Sequence, residues 1–141
     1  MGITIRSKNR SIDMGAFGFA ALRRKVAELT NEEIYKHYCN LFTYHPTIKD
    51  SKDYYKQYDA KTDTLDKKYD YKYNDILYFL YASDISAKMP VDVCKKIWEL
   101  IKDYDDDVLY GYSGRPDCAK FADFKEIVKD CMDNNCNMRW Y

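Results

Sequence analysis

Apolar side chains recur at intervals of three and four residues in several parts of this chain. Phe19, Leu22, Val26 and Leu29 are spaced 3, 4 and 3, and so are Cys94, Ile97, Ile101 and Tyr104. Phe121, Phe124, Ile127 and Cys131 follow at 3, 3 and 4. Such spacing places every apolar residue of a set on one face of an α-helix. A helix is therefore expected from Phe17 onward, another over the second set and a last one over the third. Thr30-Asn31-Glu32-Glu33 reads as a capping box with Thr30 as the cap. It opens a helix with Ile34, Tyr38, Leu41 and Phe42 inward, which stops before Pro46. Asn74 or Asp75 caps the apolar run 76–82, read as a helix rather than a strand because of its flanks. Pro90 suits a first helical turn. The asparagines of "DNNCN" tolerate the left-handed conformation that ends a helix.

Little is left for strands. "ITIR", residues 3–6, alternates β-branched and polar positions. Its natural partner is the closing "MRWY", residues 138–141. "SKNRSIDMGAFG" between the first strand and the first helix has the polar and glycine content of a loop. The fold class is mainly α: one domain over residues 1–141, of five or six helices, with a minor two-stranded β element formed by the termini.

Residues 49–73 stand apart as a peripheral insertion. Seven lysines face six aspartates in 49–72, tyrosines are interleaved, and Leu65 is the sole Leu, Ile, Val or Met. A stretch so poor in aliphatics cannot build a core of its own. It reads as a solvated helix or helical hairpin with lysine stems and tyrosine rings lying on the body.

The 141 residues carry 23 basic and 23 acidic side chains, net zero. That argues against a dedicated DNA coat or a polyanionic mimic, both of which need a one-sided field. The distribution is uneven. Residues 1–25 hold Arg6, Lys8, Arg10, Arg23, Arg24 and Lys25 against Asp13 alone, whereas 103–117 hold five aspartates against Arg115. The five cysteines, at 39, 94, 118, 131 and 136, show no paired spacing. Without an apolar leader segment they fit a reduced, cytoplasmic setting, and no run of about 18 apolar residues exists to span a membrane.

No metal or cofactor is expected. Asp103, Asp105 and Asp107 alternate as calcium ligands would, but Val108 stands where the turn needs glycine and Gly114 where a glutamate must chelate. No C-x2-C pair supports zinc. No serine-hydrolase, P-loop or H-E-x-x-H motif occurs, and only His37 and His45 are available to activate a cysteine such as Cys118. The expectation is a protein that is not an enzyme. For an anionic ligand, glycine-bearing turns at helix starts offer free amides. Arg6, Lys8 and Arg10 of one loop, with Tyr112 and Arg115 of another, form the candidate site. For a protein partner, Tyr54, Tyr55 and Tyr58 are the candidates, since tyrosine suits amphipathic contacts. A nucleic-acid surface on the Lys/Tyr stretch is a weaker alternative because aspartate balances it.

Two stretches carry a resemblance. "RSKNRSIDMGAFGFAALR" (residues 6–23) and "DYDDDVLYGYSGRPDCAKFADFKEIVKDC" with the ending "MRWY" resemble a family of small uncharacterised proteins of phages and prophages of low-GC Gram-positive bacteria. The resemblance covers the two ends of the chain and carries no activity. It implies the cytoplasm of a bacterial host and an accessory protein that modulates a host system, such as a defence system, by binding a host protein. The alternatives are a protein that sequesters or senses an anionic small molecule such as a nucleotide, or a nucleic-acid-binding protein.

Overall fold

The computed structural model describes residues 2–43, 50–104 and 120–141. Along these the order is β1 (Gly2–Arg6), β2 (Ser11–Gly15), α1 (Ala16–Thr30), α2 (Glu32–Thr43), α3 (Ser51–Lys68), α4 (Asn74–Tyr81), β3 (Ala87–Met89), α5 (Val91–Ile101), α6 (Phe121–Asp133) and β4 (Met138–Trp140). The chain is mainly helical, with an antiparallel sheet in the order β2-β1-β4-β3. None of the described helices is long and apolar enough to cross a membrane.

The ends of the chain do pair: Ile5 lies opposite Trp140 and Arg6 opposite Arg139. The sheet has four strands, however, not the two expected. Residues 11–15, expected as loop, pair with β1 along its whole length. The turn between them is fixed from outside the sheet. Ser7 N–H donates to Arg10 O, and the Asp130 carboxylate on α6 accepts from Ser7 Oγ (2.6 Å), Asn9 N (2.8 Å) and Asn9 Nδ2 (3.1 Å). Three hydrogen bonds from α6 thus hold a polar tetrapeptide in a hairpin that its own sequence only weakly specifies. β3 pairs with β4 through Ala87↔Trp140, Lys88↔Arg139 and Met89↔Met138.

Alternation splits the sheet into two faces. Ile3, Ile5, Met14, Met89, Met138 and Trp140 are buried toward the helices. Thr4, Arg6, Lys88 and Arg139 point the other way. α1 and α6 pack on the sheet, α5 lies against α6 and α1, and α4 fits beside α1 and α5. The core is the inward stripes of these helices: Phe19, Leu22 and Val26; Cys94, Ile97 and Ile101; Phe121, Phe124, Ile127 and Cys131.

Two caps differ from expectation: α4 starts at Asn74 with Tyr73 before it, so neither Asn74 nor Asp75 caps it, and Thr30 does not cap α2. Thr30 is the last residue of α1, and its hydroxyl donates to Val26 O. Asn31 caps α2 instead, its Oδ1 accepting from Glu33 N (2.8 Å) and Ile34 N (3.3 Å). Asparagine is as good a cap as threonine, and moving the cap by one residue lets α1 run on into α2. Glu33, freed from the box, takes Lys68 and Tyr69 as partners. α6 ends as its asparagines suggest, with Asn135 at φ 50° and Cys136 N–H donating to Cys131 O.

The 49–73 stretch contributes α3, which docks on α2 and buries Tyr58 and Leu65. The Phe42 side chain, the stop at Pro46, the run Asp105–Asp107, and Tyr112, Arg115, Asp117 and Cys118 lie outside the described residues.

Candidate functional site

α1 presents Ala16, Phe19, Ala20 and Arg23 on one stripe, at positions i, i+3, i+4 and i+7. Two small residues leave room there. Tyr38 and Leu41 of α2, the end of α4 with Ala82, Ser83 and Asp84 beyond it, and Ile3 of β1 line the rest of a cavity of about 300 Å³. That is at the lower end of small-molecule sites.

Arg23 lines this cavity and is only 5% exposed. Two forces hold it. Its Nη1 donates to Leu80 O (3.2 Å) and its Nη2 to Ala82 O (3.0 Å) and Ser83 O (3.4 Å). These carbonyls close the C-terminus of α4, where the helix dipole favours a cation. Its guanidinium carbon also lies 4.3 Å from the Phe19 ring centroid and 5.0 Å from that of Trp140, within cation–π range. Burial pulls the Arg23 pKa down, and Tyr38 and Asp84 oppose that pull. The group stays cationic. Its Nε, buried, has no hydrogen-bond acceptor among the described residues. No carboxylate forms an ion pair with Arg23 among the described residues.

The mouth of the cavity adds a second electropositive element. Ala16 begins α1, Gly15 offers no side-chain cap, and the first turn holds no acidic residue. The helix's first amides and its dipole are therefore not neutralised by a side chain there. Behind the cavity wall, Tyr81 reaches a polar cluster. Tyr58 donates to His37 O (2.7 Å), so Tyr81 donates to Tyr58 (2.7 Å). Burial raises both phenol pKa values. His37 stacks on Tyr58 with ring centroids 3.9 Å apart. Thr62 donates to Tyr58 O, which leaves His37 Nε2 as the donor to Thr62 Oγ1 (2.7 Å). Burial, with Lys61 second, holds the His37 pKa at about 4.

The residues singled out from sequence lie elsewhere. Arg6, Lys8 and Arg10 are exposed around the β1–β2 hairpin and line none of the cavity. Arg10 pairs with Glu126 at 2.8 Å, and Arg6 donates to the Tyr141 hydroxyl. Tyr55 is 48% exposed, and Tyr54 meets it edge to face. Tyr58, at 7% exposure, is an inward residue with its hydroxyl committed, so its ring is not presented to a partner. Among the described residues no group of three His, Cys, Asp or Glu side chains is placed to hold a metal, and Cys39, Cys94, Cys131 and Cys136 are free thiols.

Sequence reasoning missed Arg23 by counting it with the N-terminal charges. A signal was present: Arg23 follows Phe19 by four and precedes Ala27 by four, which puts it on the apolar stripe. No family model, no curated protein and no solved structure matches this chain, so the phage-family resemblance rests on the quoted residues alone.

Proposed function

We propose that this is a non-enzymatic binding protein that takes a small anion with an apolar body, such as a nucleotide or an aromatic carboxylate, into the Arg23 cavity. One observation carries this reading: a buried guanidinium with no ion-paired carboxylate among the described residues lines a cavity walled by aromatic and aliphatic side chains together with Ser83 and Asp84. An anion there would meet the charge of Arg23 and the first amides of α1, while Phe19, Leu41 and Leu80 cover its apolar part. A thermal-shift panel of nucleoside monophosphates and aromatic carboxylates tests it. A true ligand at 100 times its Kd stabilises by about 2.7 kcal/mol, a rise of roughly 10 °C for a chain of this size. Ala20→Leu, which fills the cavity with a good helix former, removes that rise. A flat response to both classes overturns the reading.

A second reading, docking on a host protein as a phage-type accessory factor, is favoured by the half-exposed Tyr55 and its neighbour Tyr54. Capture of one partner from host extract, lost in Tyr54→Ala/Tyr55→Ala, supports it. Tyr58→Ala does not serve that test, because Tyr58 is part of the packing between α2 and α3.

A further inference from the structure

The register of the sheet aligns three cations. Arg6 of β1 lies directly opposite Arg139 of β4, and Arg139 directly opposite Lys88 of β3. All three are exposed on the face that the helices leave open. Strands stand about 4.8 Å apart, so the row crosses roughly 10 Å. Like charges directly opposite each other destabilise a sheet. Among the described residues no ion pair offsets this: the pairs there involve other side chains, and none of the three cations has a carboxylate partner among them. Asp13 shares the face but accepts from Thr4 Oγ1 at 2.7 Å. Beside the row is an aromatic ring. Tyr141 exchanges backbone hydrogen bonds with Thr4, is 54% exposed, and its hydroxyl accepts from Arg6 Nη1.

We infer that this open face binds single-stranded nucleic acid, with Arg6, Arg139 and Lys88 along the phosphates and Tyr141 stacking on a base. A lone phosphate needs one or two cations, whereas a row of three matches a chain of them. A positive track beside an aromatic platform is how single strands are held without sequence readout. Sequence in a duplex is read by a helix or two-stranded ribbon inside a groove, whereas these three cations lie side by side across β1, β4 and β3 on the open face of the sheet. The net charge of zero gives little long-range steering, so binding is local and sensitive to salt. This surface is separate from the Arg23 cavity, and either can fail without the other.

The test is fluorescence anisotropy of labelled 12-nucleotide oligo-dT and oligo-rU and of a 12-base-pair duplex, with the full chain in 25–200 mM salt. Three neutralised phosphates predict a slope of log K against log salt of about −2 for single strands. Arg139→Thr and Lys88→Thr each bring the slope to about −1.4, and Tyr141→Ala weakens binding by roughly fivefold to a hundredfold. Arg139→Thr also raises Tm, because it relieves repulsion; a merely structural arginine would lower it. Absence of single-strand binding at 25 mM salt overturns the inference. So does binding that Arg139→Thr and Lys88→Thr leave unchanged, or a duplex bound as tightly with no effect of Tyr141→Ala.

Discussion

Arg23 and His37 show how two polar groups are tolerated inside this fold, and each has a measurable consequence. Arg23 spends its two terminal nitrogens on three carbonyls at the end of α4 and its faces on aromatic rings. Lysine carries the charge but neither the fork nor the flat face. Arg23→Lys should therefore lose about 2 kcal/mol, since hydrogen bonds to charged groups contribute about 1.5–3 kcal/mol each and lysine recovers part of them. The urea midpoint at unchanged m-value measures this. His37 is neutral in the fold because burial and then the nearby Lys61 disfavour its cation, and a proton placed on the buried Nδ1 would find no acceptor among the described residues. Its native pKa of about 4 lies below the ordinary 6.5. The unfolded chain therefore binds the proton first. Its contribution to stability is complete above pH 6.5 and is lost as pH falls from 6.5 toward 4. Tm measured from pH 7.5 to 4.5 should decline, and His37→Gln, which can still donate to Thr62, should flatten that decline. An equal slope in both proteins would remove this account.

At the scale of elements, the α3–α4 connection carries the clearest local strain. Asp70 and Tyr71 adopt φ 54° and 60° in succession. Aspartate tolerates that region, but tyrosine does not favour it, and an L-residue there costs about 1–2 kcal/mol. The turn is held by Tyr71 N–H donating to Asp66 O at 2.8 Å and by Asn74 Nδ2 donating to Asp66 Oδ2 at 2.9 Å. Tyr71 is 53% exposed, so its ring contributes little packing. Tyr71→Gly should then raise stability by up to about 1 kcal/mol, the relieved strain exceeding glycine's extra backbone entropy. Chemical denaturation is the direct check, and a loss of stability would mean that the ring matters more than the backbone angle.

For the whole molecule, Trp140 is the joint. It is 1% exposed, meets Phe19 and Phe79 edge-on, and its indole N–H donates to Ser83 O at 2.8 Å. It thus ties β4, α1 and the loop beyond α4 that also holds Arg23. Trp140→Ala should cost about 3–5 kcal/mol and loosen the cavity and the sheet together, seen as early amide exchange across β1 and β4. The helical stripes were legible because helical periodicity is local: Phe19, Leu22 and Val26 declare their face within three turns. The pairing of the two ends was legible from alternation in "ITIR" and "MRWY". β2 was not, because its turn depends on Asp130, more than a hundred residues away, and β3 has only three residues, none of them β-branched. The cavity was not legible either, since a charge inside a helix reads as surface until the carbonyls of α4 are brought to it. The sequence by itself determined a mainly helical chain closed by its own ends, because amphipathic period and strand alternation act between near neighbours. The tertiary structure alone decided that Arg23 is buried and that Arg6, Arg139 and Lys88 form one row, because burial and strand register are set by residues far apart in the chain.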